Sequence, residues 1–493
     1  MRCIIAVGLE LGNDEVYYWT YSQQLQWNYF DHPPMVGIWI RAFTANLWLE
    51  EYEFFVRFGS ILSAALSTWL LYRILSLLHS GKAGWYVACL YTTSVYASII
   101  AGVFILPDSP QILFWCWCLY LLLKISHSPQ SWRLWILFGL SAGLCVLSKV
   151  HGIFIPMGLL LFIIVKKRAW LLLPQLYAAG LLFAFIISPI LFWNLNNDFI
   201  TYRFHSERVT VSGFTLNASG FLREVVGQFL YNNPFNVILL AAALLAWKRL
   251  KLVSNEILVL FAYIALPMIA LLLLVSLFRN TLPHWSGPAY VTLLPLTSIY
   301  LTTVRRPGVF PGLLRSAAVT ILLTVIAGLL LVNFYPGTLG KKSADRFGDG
   351  DFTLDLYGWE SAGKAFATIY HEERAKGMIT DGTPVVAYKW FPAAHLDYYF
   401  CRPLGIELIG AGLTADLHHY QWMNGWRAPN ASLEKAYCIV PSNVSDDART
   451  RYAAYYRRIE LVNTIEQRRG GSICRYFRVY RLEGWKGASI KLP

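Results

Sequence analysis

The chain has 493 residues, of which 56% are hydrophobic and 14% charged, and its mean hydropathy is +0.44. This composition is too apolar for a soluble multidomain protein and is typical of a membrane protein. A net charge of +13 would suggest nucleic-acid binding in a soluble protein, but here the placement of the basic residues explains much of it. We therefore expect a lipid bilayer, and no nucleic acid, as a partner.

Hydrophobic segments of nearly spanning length follow one another as far as residue 334. A membrane-spanning helix needs about 20 mostly apolar residues. The first nine residues, MRCIIAVGL, are apolar but too few to span. The predicted spans are 54–79, 83–106, 110–126, 132–148, 150–165, 170–193, 234–247, 256–278, 286–304 and 312–334.

Basic residues are concentrated in every second loop between these spans. Lys166, Lys167 and Arg168 follow the fifth span, and Lys248 and Arg249 follow the seventh. Loops rich in Lys and Arg face the cytoplasm. The alternate loops, and everything after about residue 335, are therefore predicted to lie on the outer face.

The composition changes to a mixed polar one after Tyr335-Pro336-Gly337, and no later segment could span a membrane. Helical patterns then alternate with strand-like runs. The helices are predicted at about 358–376 and 412–424, and the strands at 384–390, 405–409, 436–440 and 472–482. We predict a multi-span all-α membrane bundle in residues 1–334 and a soluble, extracytoplasmic α/β domain in residues 335–493.

Acidic residues occur at two places on the predicted outer face. Asp14 and Glu15 begin the aromatic segment NDEVYYWTYSQQLQWNYFDHPP, and Asp108 lies in ILPDSP between two spans. Such carboxylates could bind a cation or act as a base, or they could stabilise helix N-termini. The aromatic residues favour an interfacial helix beneath a bound sugar or lipid over a simple aromatic belt. His32, in FDHPP, could ligate a metal or contact a phosphate, or could be an ordinary surface residue.

Cationic side chains also fall on the outer face, against the charge rule. Lys149 lies in LSKVHG, Arg208 in the long loop 194–233, and Arg279 and His284 in FRNTLPHW. Each needs an acidic partner or an anionic ligand such as a lipid phosphate, or else it extends toward the lipid headgroups. Acids and cations together predict a site for a phosphorylated lipid and a hydroxyl-bearing acceptor.

Several motifs in combination resemble a known family. They occur in order along most of the chain: NDEVYYW, YFDHPPMVGIWIR, FVRFGS, LPDSP, LSKVHG, SPILFWNLNNDF, LPHWSGPAY, LYGWES and KWFPAAHLDYYF. The chain resembles glycosyltransferases of the GT-C fold, family 39, in the bacterial branch related to lipid A aminoarabinose transferases and protein O-mannosyltransferases. This resemblance implies about ten or eleven transmembrane helices. It also implies a full helix ahead of Asp14, so we expect the recorded N-terminus to be truncated.

The resemblance further implies transfer of a sugar from a polyprenyl-phosphate donor at the outer face. Asp14 corresponds to the acid assigned as catalytic base, Glu15 to its neighbour, and Asp108 to the acid of the second loop. Lys149 corresponds to the cation beside the lipid phosphate, and His284-Trp285 belongs to a motif in a late loop. Family members with and without a divalent metal occur, which leaves a metal cofactor undecided.

The predicted reaction is a direct displacement that inverts the anomeric carbon. Lipid phosphate is already a fair leaving group, so the reaction needs a cation beside the developing charge rather than a strong general acid. Asp14 would take the proton of the acceptor hydroxyl and Asp108 would assist it. Lys149, with Arg208 or Arg279, would hold the phosphate.

Two other classes of function compete with this interpretation. A transporter or flippase would place ionisable residues near mid-membrane and often contains inverted repeats. A non-catalytic scaffold would bind through the soluble domain, where Trp390, His395, Tyr398 and Tyr399 could line a carbohydrate surface or form the domain core. A bacterial inner membrane is expected, and lipid A, another surface glycan and a protein hydroxyl are all compatible acceptors.

Overall fold

The computed structural model describes residues 1–209, 216–249, 255–304, 308–428, 431–444 and 447–487, without the side chains of 207–209. The chain forms two compact units. The helical unit contains residues 1–6 and 21–325, and the sheet unit contains residues 7–20 and 326–493. Asp14 and Glu15 thus belong to the sheet unit, and the predicted boundary near residue 335 remains a prediction.

The part of the chain before residue 335 is helical. Its helices are α1 (Arg2–Gly8), α2 (Asn13–Gln23), α3 (Met35–Phe43), α4 (Glu53–Leu78), α5 (Gly81–Thr93), α6 (Asp108–His127), α7 (Trp132–Ser148), α8 (Phe154–Lys166), α9 (Pro174–Leu195), α10 (Ile200–Val209), α11 (Ala218–Tyr231), α12 (Pro234–Ala246), α13 (Glu256–Ser276), α14 (Gly287–Thr303) and α15 (Val309–Phe334). In the helical unit, α4 packs on α5 and α6, α7 on α6 and α9, and α13 on α8 and α14.

Several helices have the length and composition of membrane spans. Within the described ranges these are α4, α6, α9, α13 and α15, and α11 with α12 qualifies as one span with a break. Leu181 and Phe185 on α9 are 74% and 76% exposed, which fits side chains that face lipid rather than water. The predicted class, a multi-span helical membrane protein with a soluble α/β domain, is confirmed.

The bend of 97° between α11 and α12 has a local cause. Asn233 adopts a positive φ of 65°, and Pro234 follows as the first residue of α12. The Asn233 amide donates hydrogen bonds to the carbonyls of Thr93 and Ala317, both at 3.0 Å. An Asn-Pro pair therefore ends one helix, begins the next and fixes the corner to neighbouring segments.

A five-stranded mixed sheet forms the centre of the sheet unit, in the order β2-β1-β3-β5-β4. The strands are β1 (Val385–Ala387), β2 (Leu408–Gly410), β3 (Lys435–Pro441), β4 (Tyr456–Arg469) and β5 (Ser472–Trp485). β1 is parallel to both β2 and β3, whereas β5 is antiparallel to both β3 and β4. β4 was not predicted from the sequence.

Short helices surround this sheet. They are α16 (Trp359–Ala375), α17 (Trp390–Leu396), α18 (Arg402–Leu404), α19 (Thr414–Leu417), α20 (Tyr420–Arg427) and α21 (Ala448–Tyr452). Glu10 accepts hydrogen bonds from the first two N–H groups of α16, those of Trp359 at 2.7 Å and Glu360 at 3.1 Å. A carboxylate satisfies unpaired N–H groups at the positive end of the helix. Glu10, which lies between α1 and α2, thereby holds the start of the LYGWES motif in place.

Candidate functional site

A buried ion pair lies at the start of α6. The Asp108 carboxylate is 2.7 Å from Lys149 Nζ, and its other oxygen accepts a hydrogen bond from the Tyr96 hydroxyl at 3.1 Å. Asp108 and Lys149 are only 2% and 4% exposed. Two charges withdrawn from water in this way are stable because each neutralises the other. Asp108 is the first residue of the helix, and its contacts go beyond those of a helix cap.

Lys149 is positioned by a tight connection after α7. Its backbone is extended, with φ −157° and ψ 136°, and the chain then turns through a 3-10 helix, Val150–Ile153. A Cβ on Gly152 would lie 2.7 Å from the Cys145 carbonyl carbon, so this turn requires glycine. The Gln111 amide donates to the Lys149 carbonyl at 3.4 Å. The LSKVHG motif therefore holds its lysine between two helices.

The late motif LPHWSGPAY meets the ion pair through Tyr96. A Cβ on Gly287, the first residue of α14, would lie 2.5 Å from three atoms of the Tyr96 ring. The bare glycine therefore provides the space in which this ring lies beside Asp108. His284 and Trp285 form part of the 3-10 turn that leads into α14.

Three imidazoles lie within electrostatic range of Asp108 and Lys149: His32, His151 and His284. The His151 ring is 5.6 Å from that of Trp285. Burial, reinforced by the charge of Lys149, lowers the pKa of His284 to about 4. Burial likewise lowers the pKa of His32 to about 3. Both rings are therefore neutral near pH 7. We call Tyr96, Asp108, Lys149, His32, His151, His284 and Trp285 the Asp108 cluster.

His151 contributes an open hydrogen-bonding position to this cluster. Its Nδ1 atom is buried and has no hydrogen-bond partner in the described part of the chain. Buried polar atoms in proteins almost always have a partner. An unsatisfied ring nitrogen beside Lys149 is consistent with a position that a ligand or a water molecule completes.

The surroundings of His32 bring in a residue from the long outer loop. The His32 ring is 5.8 Å from that of His205, which lies on α10. His205 Nε2 is 2.5 Å from the Asp31 carbonyl oxygen, and the Tyr21 hydroxyl donates to the Asp31 carboxylate. The long outer loop 194–233 is thus partly helical. The polar and aromatic composition of 194–233 was the signal that pointed to it.

The paired acids at the start of α2 have different surroundings. Glu15 is 2% exposed and accepts the Gly12 N–H at 2.9 Å, which is the reach-back contact of a helix-capping glutamate. Asp14 is exposed in the first turn of the same helix. The Glu15 contact is therefore the one expected of a helix cap. Asp14 lies at the surface of the sheet unit.

A further acid lies near this helix and was not predicted. Asn13 donates to the Asp355 carboxylate at 2.9 Å. Burial raises the pKa of Asp355 to about 6, and the charge of Asp14 adds to this effect. Asp355 lies in DFTLDLYGWES, where nothing in the sequence distinguishes it from an ordinary loop acid.

The remaining predicted residues are placed as follows. Arg208 lies within α10, but its side chain falls outside the described part of the structure. Arg279 is half-buried just after α13, with its backbone N–H donating to the Val275 carbonyl at 2.9 Å, and is not one of the groups that define the Asp108 cluster.

The proposed carbohydrate-stacking residues of the sheet unit belong mainly to its core. His395, Tyr398 and Tyr399 are buried, and the His395 ring stacks on Trp359 with centroids 4.0 Å apart. His395 Nε2 lies 3.1 Å and 3.0 Å from the carbonyl oxygens of Leu11 and Asp355. Of the two interpretations given above for these rings, the structure supports a domain core.

The placed residues do not form a metal site. Among the described residues, no group of three or more His, Cys, Asp or Glu side chains could hold a metal ion. Lys149 also places a positive charge among the imidazoles of the Asp108 cluster, and that charge would repel a divalent cation.

Comparison with known proteins identifies the relatives of the chain. Residues 31–193 match the family model described as dolichyl-phosphate-mannose-protein mannosyltransferase. The chain is 23% identical over 400 residues to the lipid A galacturonosyltransferase RgtD of Rhizobium johnstonii, a match that covers 80% of each chain. The resemblance to GT-C-fold glycosyltransferases is confirmed.

Other matches extend this resemblance to the fold. An undecaprenyl phosphate-alpha-4-amino-4-deoxy-L-arabinose arabinosyl transferase of Yersinia enterocolitica is 24% identical over 377 residues, which cover 72% of this chain and 65% of the relative. The crystal structure of ArnT from Cupriavidus metallidurans bound to undecaprenyl phosphate superposes with a TM-score of 0.62 and 14% identity, covering 100% of this chain and 97% of that one. The predicted membrane-embedded transferase is confirmed, and these relatives give no support to a transporter.

Proposed function

We propose that the protein transfers a sugar from a polyprenyl-phosphate donor to a hydroxyl of lipid A, another surface glycan or a protein. The transfer takes place at the outer face of the bacterial inner membrane and inverts the anomeric carbon. The observation that carries this proposal is the buried Asp108–Lys149 pair with neutral imidazoles around it. Such a group of donors suits a phosphate better than a metal or an apolar ligand.

Lys149 is the residue proposed to hold the lipid phosphate. An ammonium has three N–H donors, and Asp108 accepts one of them at 2.7 Å. Burial also lowers the pKa of His151 to about 3, so His151 and His284 are both neutral near pH 7. They can donate further hydrogen bonds without adding a charge that the membrane would disfavour. Asp108 holds the lysine side chain in a fixed orientation. The donor phosphate then binds to a cation that is already in position.

Asp14 is the residue proposed as the base. Asp14 is an exposed residue at the start of α2, where an acceptor hydroxyl can approach it, whereas Glu15 and Asp108 are each only 2% exposed. The acceptor oxygen forms a bond to the anomeric carbon as the bond from that carbon to the phosphate oxygen breaks. The hydroxyl proton passes to Asp14, and the lipid phosphate leaves with the bonding electron pair.

The test is transfer from radiolabelled polyprenyl-phosphate sugars by purified protein, with membrane extract as the source of acceptors. Asp14→Asn should lower the rate by about 10²–10⁴-fold while the protein remains folded, because the amide cannot take the proton. Asp345→Asn, at an exposed acid of the sheet unit, is the matched control and should leave the rate unchanged. The labelled product identifies the acceptor class.

Two results would contradict the proposal. Transfer by Asp14→Asn at the wild-type rate would exclude this residue as the base. Failure of the folded, full-length wild type to transfer any of several sugars would overturn the proposed activity itself.

A further inference from the structure

The sheet unit contains a cavity that the proposed transfer reaction does not use. Its volume is about 310 Å³, and it is lined by Tyr388, Gly412, Asp416, Gln421, Arg451 and Tyr455, among others. Sites for small molecules begin at about 300 Å³, so a cavity of this size suits one small, polar molecule.

The position of this cavity in the sheet is typical of a binding site. Tyr388 directly follows β1, and Gly410 to Leu413 end and follow β2. After β1 the chain moves outward to β2 and then returns past β1 to β3. The strand order therefore reverses at β1. Open sheets with parallel strands bind ligands at the carboxyl ends of the strands beside such a reversal.

Two glycines of the cavity lining allow neighbouring segments to pack closely. A Cβ on Gly412 would lie 2.6 Å from the Tyr388 carbonyl oxygen, and one on Gly410 would lie 2.8 Å from the Leu417 side chain. The Asn424 amide holds the Gly410 backbone through two hydrogen bonds, at 2.8 and 2.9 Å. The segments that follow β1 and β2 are thus held close together at the cavity.

One charged side chain of the lining, Arg451, can bind an anion. The Arg451 guanidinium lies 3.9 Å from the centroid of the Tyr388 ring, and Lys389 Nζ lies 5.3 Å from the same centroid. Lys389 is also 3.6 Å from the Asp416 carboxylate. Arg451 and Asp416 line the cavity, whereas Lys389 lies beside it, against the Tyr388 ring and the Asp416 carboxylate. A guanidinium stacked on a ring directs its N–H groups sideways, where a phosphate or carboxylate can accept them.

The other lining groups favour a sugar. Tyr388 and Tyr455 place aromatic rings at the cavity, and Tyr455 is itself stacked on Trp485 with centroids 5.8 Å apart. Gln421 is buried at 3% exposure and supplies an amide to the lining. Aromatic faces, an amide and a carboxylate together match the apolar face and the hydroxyl edge of a sugar ring.

We propose that this cavity binds a sugar bearing an anionic group, either a phosphate or a carboxylate. Arg451 binds the anion, and the tyrosine rings and the Gln421 amide contact the sugar. Binding at this cavity requires no transfer of sugar. Binding and transfer can therefore be tested separately, and the failure of one does not imply the failure of the other.

Direct binding to the full-length protein in detergent tests the inference. A hexose 6-phosphate, a hexuronate and the neutral hexose are titrated by saturation-transfer NMR. At least one of the two anionic sugars should bind about tenfold more tightly than the neutral hexose, as expected for a charged hydrogen bond. The two anionic sugars distinguish phosphate from carboxylate as the recognised group.

Three variants locate the site. Arg451→Ala should weaken binding of the anionic sugar about tenfold. Arg449→Ala is the matched control, because this exposed arginine lies on the same helix, α21, but does not line the cavity, so binding should be unchanged. Ala454→Trp, at an exposed position of the lining, should abolish binding by filling the cavity without disturbing the core.

Several outcomes would overturn the inference. One is that neither anionic sugar binds to folded protein. Another is that Arg451→Ala and Arg449→Ala weaken binding equally. Inorganic phosphate that binds as tightly as the hexose phosphate would show an anion site without sugar recognition.

Discussion

Asp108 and Lys149 neutralise each other where water is excluded, and this single contact determines how both residues behave. A buried charge without its partner costs far more than an exposed one, because hydration cannot compensate for the lost interaction. Glu15, by contrast, accepts the Gly12 N–H at the start of its own helix. Acidic residues at two helix starts therefore have different contacts, which depend on what lies opposite them.

Lys149→Gln should destabilise the protein by about 3–5 kcal/mol, because Asp108 is left buried without a cation. The double variant with Asp108→Asn should recover most of this loss, since neutral side chains replace both charges. Both variants should lose donor binding. The measurement is denaturant unfolding in detergent together with binding of a polyprenyl phosphate.

Lys364→Gln provides the control for this comparison. Lys364 forms an ion pair with Glu360 on α16, at 2.6 Å, but both side chains are exposed, so the loss should be below about 1 kcal/mol. A double variant as unstable as Lys149→Gln alone would contradict the interpretation of the buried pair.

The junction between the late loop and helix α14 shapes the surroundings of Asp108. The backbone at Gly287 lets the Tyr96 ring lie beside Asp108, so the start of one helix shapes the surroundings of another. A π-helical turn, Tyr96–Ile100, carries this tyrosine. Irregular helical turns of this kind frequently occur at functional sites.

Gly287→Ala should destabilise the protein by about 1–3 kcal/mol and lower the rate of transfer, because the added methyl group displaces Tyr96 from Asp108. Gly180→Ala is the control. Gly180 lies inside α9 with nothing within 4 Å of an added Cβ, so this variant should be neutral or slightly more stable. Thermal unfolding and the transfer assay measure both effects. Equal responses of the two variants would show that the Tyr96 contact is unimportant.

Individual elements show what local patterns could predict. α16 was predicted at 358–376 and spans Trp359–Ala375, because its apolar residues recur at helical spacing. β4, with the sequence YRRIELVNTIEQRR, was not predicted, because it is an edge strand rich in charged residues and largely exposed. Its identity as a strand depends on antiparallel pairing with β5, which a local pattern does not contain.

At the scale of the whole molecule, the alternation of basic loops predicts the orientation in the membrane. Ser128 lies in the loop after α6, near Lys124 and Arg133, and is expected in the cytoplasm. Ser343 lies in the sheet unit and is expected outside. Both residues are exposed, so a cysteine at either position would be accessible to a reagent on its own side.

A maleimide that cannot cross membranes should label Ser343→Cys in intact spheroplasts, and should label Ser128→Cys only after permeabilisation. The exposed native cysteines, Cys3 and Cys89, are first replaced by alanine, while the other six are buried and should not react. The parent protein without either introduced cysteine is the control. The reverse labelling pattern would overturn the proposed orientation.

The membrane class and the α/β character of the C-terminal part could be predicted from the amino-acid sequence. Hydrophobicity, charge and spacing are properties of short segments, so local sequence contains these features. The contact partners, in contrast, became known only from the folded chain: Tyr96 at Asp108, His205 beside His32, and Glu10 at the start of α16. These contacts join segments separated by a turn, a long loop or most of the chain. Burial and the partner's charge, which arise only on folding, then determined that Lys149 is paired and that His284 is neutral.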